Sequence, residues 1–314
     1  MIKFLVNVND KNYDISQLVI KVSYQDTLNN GCSVLSFTYI DDNLVIKNGS
    51  VVSFTYNSDK IFYGYVFKVK RDKGKEISVT AYDQLRYCKA KDTIVIKGDT
   101  VTSLTKKMCN YFELKKGTLT ETGYKLSTDV KDDTTWLDII YSGISETKKN
   151  KNKRYLLRDE FGSICIRSLD ELKLDLILGD KSLVYDYSYV KSIDDETYNK
   201  IKIHLADKSD GENQFVIKKD DKSIAKFGLL QYYESVYNTN ASKAKEEAES
   251  LFKQYNKEGE TLQLSCLGDT RIRAGVSFYG KIKDINYDKR IVVKSVTHDF
   301  LPVHTMNVEA NYDQ

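Results

Sequence analysis

A single proline stands in 314 residues, with one tryptophan, three methionines and three histidines. So few prolines exclude proline-rich linkers and polyproline segments. The histidines, His204, His298 and His304, fall in no HxxxH, HExxH or Cys/His spacing, so no zinc signature is present and no metal is expected. Five cysteines, at 32, 88, 109, 165 and 266, are odd in number and form no CxxC pair, which reads as reduced, mostly buried thiols and not a disulfide framework. No apolar run approaches the roughly eighteen residues of a membrane helix. The opening MIKFLVNVNDKNYD has only Phe4, Leu5 and Val6 as an apolar run, too short for a signal peptide, so folding in the cytoplasm is expected. Neither sign of charge dominates: the net charge of +3 gives no electrostatic argument for nucleic acid or an anionic membrane.

What is present is strand material. Tyrosine is abundant, at 23 residues, and 41% of the chain is hydrophobic against 30% charged, the balance of a globular protein large enough for two or three domains. Residues 1–93 hold six short alternating runs separated by Asn, Asp, Gly and Lys turns, which describes a sandwich or barrel. In the longest run Ile61, Tyr63, Tyr65, Phe67 and Val69 share one face, expected to be the core face, and Phe62, Gly64, Val66, Lys68 and Lys70 share the other. Gly64 inside a strand marks a bulge or a close approach.

Over 94–150 the period becomes helical. Asp99 or Thr100 caps a stripe of Val101, Leu104, Met108 and Tyr111, and Thr134 or Thr135 opens a second helix carrying Leu137, Ile140 and Ile144. Trp136 is expected as a packing anchor between these helices rather than a sugar-stacking platform. The basic run 148–154 reads as a solvated loop, and 151–184 as a hairpin region. From 185 to 314 strands return. A strand is expected over 211–228 with a polar turn at Asp220 and Asp221, then a helix over 240–256, capped by Asn240, with its apolar face on the C-terminal strands. Four alternating runs fill 261–310. Between the first two lies GDTRIRAG, where Gly268 and Gly275 are free to take positive φ and Arg271 and Arg273 share one face.

Chemistry-bearing motifs are thin. There is no GxSxG, Walker loop or GxGxxG, and nothing singles out a carboxylate pair among 45 acidic residues, so neither catalysis nor a cofactor is expected. Residues 93–112 resemble the opening of a LysM glycan-binding module, but such a module should close with a second short helix and a partner strand, and 117–131 is polar and irregular.

Five phrases in order carry a broader resemblance: IFYGYVFKV with ISVTAYDQLRYCKAKDT; TTWLDIIYSGISET with KRYLLRDEFGSICIRSL; VYDYSYVKSIDDETYNKIKI; GLLQYYESV; and TLQLSCLGDTRIRAGVSFY with VVKSVTHDF and HTMNVEA. Together they resemble the YqbQ/XkdQ family of prophage tail proteins, similar to the baseplate hub and late control D proteins of contractile phage tails and R-type bacteriocins. The resemblance implies a mainly β fold with an α+β insert: two tail-tube-like β-barrels, at 1–93 and 185–314, around a helix-containing middle. It implies a homotrimer presenting six barrels, joining a six-fold tail tube protein to a three-fold spike protein among other baseplate proteins, with DNA passing through the lumen and no membrane contact. The particle would be a virion or a bacteriocin. Arg271 and Arg273 are then candidates for an intersubunit contact. Two rivals are a tail-associated peptidoglycan-binding or hydrolase module and a VgrG-like spike, which should continue into a repetitive needle.

Overall fold

The computed structural model describes residues 1–194, 196–206, 214–237 and 240–312. Seven strands come first: β1 (Ile2–Val8), β2 (Lys11–Asp14), β3 (Val19–Thr27), β4 (Val34–Ile40), β5 (Val51–Tyr56), β6 (Asp59–Arg71) and β7 (Glu76–Tyr82). They lie in the order β3-β4-β7-β6-β5-β1-β2. Tight turns at Asn9-Asp10 and Asn57-Ser58 put both central residues at positive φ, the hairpin geometry that matches strand twist. The sheet folds over one core: Phe4 on β1 and Phe37 on β4, far apart in strand order, have ring centroids 4.8 Å apart.

The expected faces of β6 are inverted between Phe62 and Phe67, whereas Ile61 is buried and Val69 packs against the core as expected. Phe62, Gly64 and Val66 point into the core, while Tyr63, Tyr65 and Phe67 lie half-buried outside, Tyr65 edge-on to Tyr87 and Phe67 edge-on to Tyr82. Both faces of this run are aromatic or aliphatic, so alternation alone does not choose between them. The register also slips beside Phe54 and after Val66. Gly64 marks a close approach: a Cβ there would sit 2.2 Å from the Tyr82 carbonyl oxygen.

The middle of the chain comprises β8 (Lys91–Ile96), α1 (Val101–Tyr111), β9 (Lys116–Leu119), β10 (Asp129–Thr135), α2 (Trp136–Lys151), β11 (Tyr155–Asp159) and β12 (Ile164–Ser168). Thr100 and Thr135 cap the helices with their hydroxyls, Thr100 in a reciprocal box with Ser103. The expected boundary at 150 does not exist as a packing boundary: Leu104, Met108, Ile140, Leu157 and Ile166 share one core, so the hairpin β11–β12 belongs with the helices. Trp136 lies buried against Tyr111 and Phe112 and donates through Nε1 to Asp92 at 3.2 Å. The basic run is not mainly a loop. Lys148, Lys149 and Lys151 occupy the last turn of α2, where cations suit the helix dipole, before Asn152 stops it in a left-handed conformation. The strand partner of β8 is β10, and only β9 stands between α1 and β10, so the second helix of a LysM unit is absent there.

Next come β13 (Lys173–Gly179) and β14 (Val184–Ser192), after which the chain enters a second compact unit, Tyr189–Leu262. This unit holds β15 (Lys200–Leu205), β16 (Gln214–Lys219), α3 (Asp221–Phe227), β17 (Gln231–Val236) and α4 (Ala241–Tyr255). Two expectations fail here. Asp220 and Asp221 do not form a turn between strand halves: Asp220 caps α3 by accepting from Lys222 and Ser223. Nor does α4 pack on the C-terminal strands; Ala244, Ala248 and Leu251 cover Ile201, Ile203 and Leu205 of the unit's own sheet, β16-β15-β17. Residues 211–213 of the expected strand lie outside the described residues. The domain expected at 185–314 is therefore interrupted, and its strands draw on β13 before residue 185.

The chain returns through β18 (Gly259–Leu267), β19 (Ser277–Ile282), β20 (Tyr287–Asp299) and β21 (Thr305–Tyr312). Their order, with the two strands that precede the inserted unit, is β14-β18-β21-β20-β19-β13. Strand for strand, this repeats β3-β4-β7-β6-β5-β1. The match extends to single hydrogen bonds. Gly49 N–H donates to Val66 O and Val66 N–H to Ser50 O; likewise Gly275 N–H donates to Val293 O and Val293 N–H to Val276 O. Both glycines have left-handed φ, +88° and +82°. After each valine the next ladder slips by one residue: Val66 faces Ala81 and then Lys68 faces Thr80, as Val293 faces Ala310 and then Ser295 faces Glu309. Ile40 N–H donates to Leu18 O, and Leu267 N–H to Leu183 O. These anchors align Leu18-Val19 and Ser23-Tyr24 with Leu183-Val184 and Ser188-Tyr189. The copies differ where β1 runs antiparallel to β5 but β13 runs parallel to β19, and in the slip beside Phe54, which the β19–β20 ladder lacks. With half of its residues in strands and a fifth in helices, the chain is mainly β and carries one strand topology twice.

Candidate functional site

The two strand sets are joined by one ladder. The second half of β20 pairs antiparallel with β3, from Ser295 opposite Thr27 to Asp299 opposite Ser23. By strand alternation Val22, Tyr24 and Asp26 share the inward face of β3, which leaves a carboxylate on an apolar face. Such a group needs a cation. Arg273 supplies it, with Nε donating to Asp26 Oδ2 at 2.9 Å, Nη2 donating to the Asp159 carbonyl at 3.3 Å, and the guanidinium 5.8 Å from the Tyr24 ring centre. One side chain thereby ties the N-terminal strands, the β11–β12 turn and the C-terminal loop together.

Two further polar clusters flank the seam. Asp83 is buried and accepts from Ser33 N–H and Oγ at 2.7 and 2.6 Å and from Leu85 N–H at 2.9 Å. Burial, with the neighbouring Asp159 carboxylate, pushes Asp83 up to about 7. Burial also raises Asp159, against the opposing pull of the Gly162 and Gln84 N–H groups. On the other side His298 Nε2 lies 2.8 Å from the Ile272 carbonyl, which can only accept, so that nitrogen carries the proton and His298 Nδ1 accepts from His304 Nε2 at 3.0 Å. Burial lowers both imidazoles, and with His298 beside it His304 falls to about 4. The pair is neutral at pH 7.

Gly268, Arg273 and Gly275 all converge on this seam. Gly275 takes φ +82° where a Cβ would strike Leu156. Gly268, expected at positive φ, is not among the positive-φ glycines; it is required because a Cβ would lie 2.2 Å from the His304 ring. The expected pairing of Arg271 with Arg273 on one exposed strand face is overturned, because residues 268–276 form turns instead of a strand. Arg273 points inward, and Arg271 stays exposed with its charge matched by Asp269 in the same turn. Asp26, Asp83 and Asp159 were not singled out by sequence reasoning. The available signal was Asp26 in step with Val22 and Tyr24. His204 lies apart, beside Phe215 and Ser235 in the second unit. Four cysteines are buried and Cys32 is half-buried, and all five are free thiols. Among the described residues no group of three or more His, Cys, Asp or Glu side chains could hold a metal. This arrangement holds parts of the chain together.

Solved structures share the fold. The tail protein from Neisseria meningitidis MC58 superposes with a TM-score of 0.74 at 13% identity, over 99% of this chain and 97% of its own. The 43 kDa tail protein of prophage MuSo2 from Shewanella oneidensis gives 0.73 at 13% identity, over 98% of each chain. The fold is thus one found in phage tail proteins. The YqbQ-like family model matches residues 22–311, and the chain belongs to that family. Two relatives in Bacillus subtilis (strain 168) are YqbQ, itself uncharacterized, 27% identical over 270 residues (84% of this chain, 81% of that protein), and XkdQ of the phage-like element PBSX, 24% identical over 269 residues (84% and 82%).

Proposed function

We propose that this protein is a structural baseplate hub of a contractile phage tail or phage-tail-like bacteriocin, without catalytic activity. Three copies form a ring of six strand sets that adapts a six-fold tail tube to a three-fold spike. The observation that carries this reading is the duplication: one chain presents the same six-strand order twice, and a three-fold assembly of such chains offers a six-fold partner six similar surfaces. The tail proteins that share the fold add support. The partners are a tail tube protein, a spike protein and other baseplate proteins, with DNA moving through the lumen where the particle carries a genome. The chain is made in the host cytoplasm, and among the described residues no helix is long and apolar enough to cross a membrane.

Gold-labelled antibody on purified particles is expected at the distal end of the tube, with tube and spike proteins co-purifying. Label elsewhere on the particle overturns the hub role. A cleared band from the purified chain on a peptidoglycan zymogram overturns the non-catalytic reading.

A further inference from the structure

The duplication specifies more than a shared topology, because the joint between the two strand sets is itself visible. Within one chain β3, at the outer edge of the first set, adds to the second half of β20. The counterpart of β3 is β14, and the counterpart of β20 is β6. Both counterparts have an open side. Among the described residues β14 ends the strand order with β18 as its one neighbour, and β6 keeps β7 on one side while its pairing with β5 stops at Tyr65. An open edge of this length is a template for another strand.

We infer that β14 of one copy adds to the Phe67–Arg71 half of β6 in the next copy, in the register that β3 and β20 already display. Thr27 opposite Ser295 becomes Ser192 opposite Lys68, Asp26 opposite Val296 becomes Lys191 opposite Val69, and Gln25 opposite Thr297 becomes Val190 opposite Lys70. The hydrogen bonds transpose as well. Leu28 N–H to Lys294 O and Phe300 N–H to Val22 O mark the bonded positions within the chain. Lys70 and Val190 therefore fall at a non-bonded position, where side chains of facing residues approach most closely. The interface is head-to-tail, each copy offering β14 to one neighbour and β6 to the other. The joint stands on the transposed geometry alone; closure at three copies rests on the hub reading.

The two joints differ in one respect. Arg273 and Asp26, whose ion pair locks the joint within the chain, correspond to Lys47 and Lys191, both exposed. Like charges at these places leave the joint between copies weaker than the one inside each copy. A glutamate at Lys47 would face Lys191 of the neighbouring copy and restore an attraction.

The test uses the full chain. Lys70→Cys with Val190→Cys should form a disulfide between copies on mild oxidation, since facing Cα atoms at about 4.5 Å suit the bond. Lys70→Cys with Lys191→Cys should not, because neighbouring residues of a strand point to opposite faces. Separately, Lys47→Glu should tighten association in sedimentation experiments, with the gain shrinking as salt is added. Absence of the bond at every concentration where the chain stays soluble, equal bonding through position 191, or weaker association of the Lys47→Glu variant would each overturn the joint. Covalent species that stop at three copies support both proposals. A ladder running past three would retain the joint and overturn the hub.

Discussion

Arg273 and Arg271 stand two residues apart with the same chemistry and opposite roles. Replacing Arg273 by Met strands Asp26, 6% exposed, without its cation and releases the Asp159 carbonyl; a loss of about 3–5 kcal/mol is expected from chemical denaturation. Arg271→Ala removes an exposed pair and should cost no more than about 1 kcal/mol. If the two losses are equal, the seam does not depend on Arg273. The flanking clusters also set opposed pH dependences. Asp83 has a folded value of about 7 against an ordinary 3.8, so its protonated form contributes stability that is lost as pH rises through about 7. His304, lowered to about 4 from 6.5, contributes stability present above 6.5 and lost as pH falls through about 4. Asp83→Asn keeps an acceptor for Ser33 and cannot ionise. The variant should lack the Asp83 share of the fall, so its midpoint should gain on the parent's as pH rises from 5 to about 7, as thermal melts of both across that range would show.

At the scale of elements, β6 is constrained from both sides. It serves β5 with one half and β7 with the other, and Gly64 sits where the Tyr82 backbone crosses closest. Backbone cannot yield as a flexible side chain can, so Gly64→Ala should destabilise the N-terminal sheet by about 1–3 kcal/mol. Hydrogen exchange should place the loss in β6 and β7; an unchanged protection pattern would mean the strands can part at no cost. The same strand shows how far periodicity reaches. Alternation located β6 and its length, but with Phe62 and Val66 on one side and Tyr63, Tyr65 and Phe67 on the other its inward face was settled by the bulges that β5 and β7 impose.

At the scale of the whole molecule, the chain holds two compact units, one assembled from both ends and one inserted between β14 and β18. In the inserted unit Leu251 is 2% exposed within a core confined to that unit. Leu251→Ala should therefore cost about 2–5 kcal/mol there and leave the strand sets' exchange protection unchanged. Loss of protection at β20 and β21 as well would show that the two units unfold as one.

The sequence by itself determined what is local. Asn240 caps its helix as read, and Thr100 and Thr135 are the caps among the pairs Asp99/Thr100 and Thr134/Thr135, because a cap is a bond between residues two or three apart. The four C-terminal runs are strands as read, because period two is a property of neighbours. Tertiary structure decided what depends on distant partners: which sheet α4 covers, that Arg273 turns inward to Asp26 across the chain, and that the second strand set recruits β13 and β14 from before the inserted unit. The duplication, which the family resemblance implies, takes its bond-by-bond form there too. Its signature is a pattern of backbone bonds and one-residue slips at Val66 and Val293, and backbone geometry leaves only a faint trace in side-chain identity, the Leu-Val and Ser-Tyr shared by β3 and β14.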